Sequence, residues 1–126
     1  MTAIHESVNL GDLLKFEEGA LRYSRDIATV AAGQNLPLGC VVGRETSSAK
    51  LKQLDPQASD GSQTPVGLLL MPVDANLMDV QDSLLLSRHA AVASCAVVWP
   101  AAISAADQAD ATATLASLGI LIYPSA

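Results

Sequence analysis

Apolar positions along this chain gather in short runs, divided by polar stretches that carry glycine and proline. Residues 38–43 (LGCVVG) and 66–73 (VGLLLMPV) are continuous apolar runs bounded by turn residues, the pattern of buried strands. Pro72 has no N–H for a ladder and marks an edge position or the exit of its run. Residues 80–89 alternate with period two, which predicts a half-buried strand with Leu84 and Leu86 inward. Residues 22–34 hold Tyr23, Ile27, Thr29 and Val30, which favour strand, and residues 33–35 read as a turn before Pro37. Between residues 44 and 64 the chain is polar, with Pro56, Asp60 and Gly61 as turn residues and residues 49–54 as a candidate strand. Residues 74–79 read as a loop, 92–99 as a last apolar strand ending at Pro100, and 120–122 as a short terminal strand.

A sustained helical period begins only at Ser104. That residue stands where an N-cap is needed, with Asp107 at the third position in place of the usual Glu or Gln. Asp107 and Asp110 suit the positive end of the helix dipole. Asp107, Asp110, Thr114 and Ser117 form a polar stripe, leaving Ala111, Leu115 and Leu118 for packing, and Gly119 is a natural stop. Residues 1–21 carry mixed charge around Val8, Leu10, Leu13, Leu14 and Phe16, interrupted by Gly11 and Gly19, without a sustained period. They read as a flexible N-terminal arm, ordered when something receives it, ahead of one domain over residues 22–126. The predicted class is α+β and mostly β: a small β-barrel or β-clip-like domain with one late α-helix.

Composition limits the function classes. The 126 residues are 50% hydrophobic yet only 3% aromatic, and 16% are charged, below the roughly 25% of ordinary soluble domains. Such a chain is too apolar to be disordered. Four aromatics (Phe16, Tyr23, Trp99 and Tyr123) do not furnish a stacking platform for single strands, and a net charge of −6 opposes coating phosphates. The charge-free stretch 89–106 is long enough to suggest a membrane span, but Ser94, Cys95 and Pro100 interrupt it. No Lys or Arg precedes Lys15, so no secretory signal is expected. Cys40 and Cys95 lack metal-binding or redox spacing and are expected to be reduced thiols acting as small hydrophobes. An apolar, sparsely charged surface calls for a cover.

Candidate chemistry is sparse. His5 and His89 have no Cys, His or carboxylate at ligand spacing, so no metal and no cofactor are expected. The chain has no GxSxG elbow, no GxxxxGK[ST] loop and no GxGxxG turn. Glu17 and Glu18 are adjacent and point to opposite sides of an extended chain. Cys40 or Cys95 with His89 is the one arrangement suited to a thiol hydrolase, and nothing positions a third group. The residues therefore predict a protein that is not an enzyme. Two readings remain: a small β-rich ligand-binding or adaptor module, or a structural protein that buries its apolar surface by self-association. A pliant arm favours the second, since an extended segment can add a strand to a partner's sheet edge.

The order of motifs resembles a known family. LPLGCVVGRETSSAKLKQLDPQASDG lies within residues 34–61, PVGLLLMPVDA at 65–75, VVWPAAIS at 97–104 and LGILI at 118–122. This succession resembles the bacteriophage head decoration proteins of the lambda protein D type, and RYSRDIATVAAGQ at 22–34 is similar to the start of prophage-encoded relatives. The likeness runs over about residues 20–122. It implies a homotrimer on the exterior of the virion capsid, made in the host cytoplasm during assembly, that binds the expanded head and stiffens it against packaged DNA. The implied partners are other copies of itself and the major capsid protein, without direct contact to nucleic acid or membrane. Trp99 and Pro100 match the family's WP, and Gly67 matches the glycine of its VGIL-type strand. Their implied role is trimer or core packing, with Trp99 open between the two. The arm departs in sequence from the lambda protein. Its apolar positions Leu10, Leu13, Leu14 and Phe16 are the expected capsid-binding residues.

Overall fold

Paired apolar residues in the sequence become strands with a core on each side. A computed structural model describes residues 10–17 and 24–124. The chain runs through α1 (Leu10–Leu13), β1 (Leu14–Glu17), β2 (Arg25–Val30), β3 (Gln34–Leu36), β4 (Val41–Arg44), β5 (Leu51–Gln53) and β6 (Pro65–Leu69). It continues through β7 (Val73–Ala75), β8 (Val80–Leu86), β9 (Ala90–Ala93), a 3-10 turn (Ser94–Ala96), α2 (Ala105–Ser117) and β10 (Ile120–Tyr123). Strands β2, β5, β4, β6 and β8 close a barrel in that order, and β3 pairs with β7 as a separate ribbon.

Val30, Val42, Leu51, Leu69 and Leu85, one from each barrel strand, meet in one buried cluster with Cys40, and Leu36, Val73 and Ala75 of the β3–β7 ribbon join them. The neighbouring residues Val41, Leu68 and Leu86 enter a second cluster with Leu13, Val92, Ala111, Leu115 and Ile120. Successive side chains of a strand point to opposite faces. A strand between two cores therefore needs apolar residues at adjacent positions, which is why these runs lack alternation. The half-buried strand expected at residues 80–89 is corrected accordingly. Leu84 and Leu86 do face one core, but Leu85 and Ser83 on the other face are buried as well.

Three further boundaries differ from the sequence reading. The strand expected over residues 92–99 stops at Ala93, and the 3-10 turn redirects the chain so that Val98 bridges to Cys40 beside β4. The turn expected at residues 33–35 falls earlier, because Gln34 and Asn35 pair with Ala75 and Asp74. That pairing also makes the start of the expected 74–79 loop a strand.

The arm expectation divides. Residues 1–9 and 18–23 lie outside the described residues, while Leu10–Glu17 folds onto the domain. Leu10 and Leu13 lie three apart on one side of the single helical turn, and Leu14 opens β1 beside them. Leu13 is fully buried and the other two pack against the same cluster. Strand β1 then pairs antiparallel with β9, whose other side carries β10 in parallel. Helix α2 follows its predicted signals: Ser104 accepts a hydrogen bond from Asp107 N at 3.1 Å, and Ala111 and Leu115 are buried. Gly119, at φ +84°, reverses the chain into β10.

Candidate functional site

The sheet β1–β9–β10 has an apolar inner face and, on its outer face, exposed aromatic and aliphatic side chains, with its charged residues Lys15 and Glu17 confined to the edge strand β1. Its inner face carries Leu14, Ala90, Val92, Ile120 and Ile122, all in or against the second core. On the outer face, the register lines up Phe16, Ala91 and Leu121 in one row and sets Tyr123 beside Ala93. Phe16 is 60% exposed, Tyr123 53% and Leu121 44%. Because Ala91 is small, the flanking side chains border a shallow hollow of about 510 Å³, which His89 and Gly119 also line. A sheet with one solvated face ordinarily alternates apolar and polar positions. Strands β9 and β10 do not, and their apolar positions continue onto Phe16 of β1 as one exposed apolar patch. Within this sheet, β1 and β10 are also the edges, where unpaired backbone groups can receive another strand.

Local chemistry fixes the hollow. Arg25 Nη2 and Nε donate to the two carboxylate oxygens of Glu17 at 2.5 and 2.7 Å, tying β1 to β2. These hydrogen bonds hold the Glu17 carboxyl below its ordinary range. At the other end, Ser24 Oγ donates to the His89 carbonyl at 3.0 Å. A side chain at position 119 would come within 2.8 Å of the His89 ring, so only glycine fits there.

The residues singled out by sequence separate into surface and interior. Of the expected capsid-binding set, Phe16 lies on the exposed face, but Leu13 is sealed in the chain's own core and Leu10 and Leu14 pack on it. Their apolar character already serves this domain, and of the four only Phe16 presents its side chain mainly to solvent. Gly67 sits where β6 meets β8: a Cβ there would stand 2.1 Å from the Leu86 carbonyl oxygen. Trp99 packs half-buried against the second core, and Pro100 lines a separate groove. Leu121 and Tyr123 were missed as candidates. Their signal was the alternation in ILIY, which puts both opposite Ile120 and Ile122.

That groove, of about 380 Å³, includes Gln34, Lys52, Asp55, Asp60, Pro100 and Asp107. Its charged groups Lys52, Asp55 and Asp60 are engaged with protein groups, Asp55 accepting from Gln57 N at 3.0 Å. Lys52 pairs with Glu45 at 2.9 Å and with Asp60 at 3.2 Å, while Asp60 accepts from both Ser62 Oγ and Ser62 N. The Ser62 hydrogen bonds, with help from Lys52, lower the Asp60 carboxyl to about 2. Burial pushes the Cys40 thiol up to about 12, leaving it protonated and poorly nucleophilic at neutral pH. Cys95, expected in an apolar interior, is instead exposed on the 3-10 turn. Among the described residues, no group of three His, Cys, Asp or Glu side chains could hold a metal ion. No helix among them is long and apolar enough to cross a membrane.

Comparison with curated proteins returns no match. A family model described as bacteriophage lambda head decoration protein D matches residues 3–120 of the 126, so the chain belongs to that family of structural phage-head proteins.

Proposed function

We propose that this decoration protein acts without catalysis, as a homotrimer on the outside of the expanded head, binding the major capsid protein and resisting the pressure of packaged DNA. The observation that carries the reading is the sheet whose outer face exposes Phe16, Leu121 and Tyr123 while its inner face is in the core. Phe16, Leu121 and Tyr123 together expose on the order of 300 Å². A stable protein interface takes about 800 Å² per partner, so this face is one part of a larger contact. Residues 1–9 supply further chain just ahead of α1 and β1. Binding through several copies at once offsets the ordering of each segment by raising effective concentration. The acidic balance of the chain suits a position away from the DNA.

Two measurements test this. The solution mass of the full chain is expected to be that of three copies, and a monomer throughout the micromolar range would overturn the trimer. Deletion of residues 1–9 stops short of Leu10 and Leu13, so the thermal midpoint should change little while decoration of expanded heads is lost. Normal decoration by that variant would remove the arm from the mechanism.

A further inference from the structure

Leu77 and Met78 stand in the turn between β7 and β8, 93% and 69% exposed. Single exposed apolar residues are ordinary, but these two are adjacent and the turn beneath them is braced. Asp79 accepts from Ala32 N at 2.8 Å and pairs with Lys50 Nζ at 2.5 Å. Asn76 N donates to Asp74 Oδ1 at 3.1 Å, and Gly33 N donates to the buried Ala75 carbonyl at 2.7 Å. Both ends of the four-residue turn are therefore anchored to the barrel end. A preorganised contact loses little conformational freedom on binding.

The flanking charge selects the occupant. Asp74 and Asp82 are exposed on the strands entering and leaving the turn, and the nearby Lys50 is neutralised by Asp79. A receiving surface should offer an apolar pocket with a cationic rim. A second copy of this chain is poorly supplied with one: it has 7 basic against 13 acidic residues, and Arg25, Lys50, Lys52 and Arg88 are already in ion pairs within the chain. We propose that Leu77 and Met78 form a plug that seats in a Lys- or Arg-rimmed apolar pocket of the shell subunit, a second contact remote in sequence from the N-terminal segment. The proposal rests on the decoration reading above and adds a surface to it.

The test uses the full chain and expanded, DNA-free heads of the phage that encodes it. L77S/M78S should keep the wild-type thermal midpoint and solution mass, and its co-sedimentation with heads should weaken by about tenfold or more, the scale of losing one buried apolar side chain. D74N/D82N, which keeps the Asn76 hydrogen bond, should bind more weakly at low salt and show a flatter salt dependence. Wild-type-like binding by L77S/M78S overturns the plug, as does a fall in its solution mass, which would make the tip a contact between copies. Failure of the wild-type chain itself to bind the heads overturns the decoration reading instead.

Discussion

The barrel and the β1–β9–β10 sheet are built from the same aliphatic residues, yet they stand differently toward solvent. The barrel closes on itself, so none of its five strands is left as an edge, and every one of its strands sends a side chain into one buried cluster. The sheet has three strands, two edges and an outer face bearing Phe16, Leu121 and Tyr123. A barrel satisfies its backbone groups and its apolar surface internally. The open sheet buries its inner face and leaves apolar side chains on the outer one uncovered. The contrast separates strands whose backbone groups and inner side chains are satisfied within the chain from a sheet with edges and an exposed apolar face.

Substitutions should separate the two regions. The largest effect is expected in the barrel interior: Leu69→Ala leaves a cavity among Val30, Val42, Leu51 and Leu85 and should cost about 2–5 kcal/mol, read as a single cooperative loss in chemical denaturation. Leu13→Ala removes an equally buried leucine and should lie in the lower part of about 2–5 kcal/mol. Its loss should be seen first as faster hydrogen exchange in β9, because a four-residue turn and a four-residue strand can detach while the barrel persists. Matching exchange across barrel and sheet would erase the distinction.

A smaller, pH-dependent effect concerns Glu17. Its carboxyl is held below the ordinary value of 4.5, chiefly by hydrogen bonds from Arg25. The pair's stabilisation is therefore present above that value and lost as the pH falls through the lowered folded one. Acidification from above pH 4.5 to below it should loosen β1 ahead of the barrel, and Arg25→Gln should abolish that early step. Smallest of all is the expected effect of Phe16→Ser on folding, within about 0.5 kcal/mol at so exposed a position. The same substitution should weaken association, so unchanged self-association and head binding would show that the outer face is not used.

Much of this architecture could be read from local signals. The LGCVVG and VGLLLMPV runs announced strands with apolar surroundings on both sides. Ser104, Asp107 and Gly119 marked the start and stop of α2 through capping and backbone geometry, both effects of a few neighbouring residues. The succession of motifs pointed to the decoration-protein family, and the family match over residues 3–120 agrees. Less was legible at residues 10–17, where a single turn is too short to establish a period and Leu13 becomes informative only once β9 and α2 are beside it.

Sequence thus determined the longer barrel strands and the late helix, and that the whole is too apolar and too weakly charged to be fully covered by its own polar residues. Tertiary structure decided which apolar residues are spent on the fold and which are left over. Leu13 and Phe16 are three positions apart and equally apolar in pattern, but one enters a core and the other faces solvent. The choice depends on pairing register with β9, a contact made across more than seventy residues of chain, and no local property of residues 10–17 encodes it.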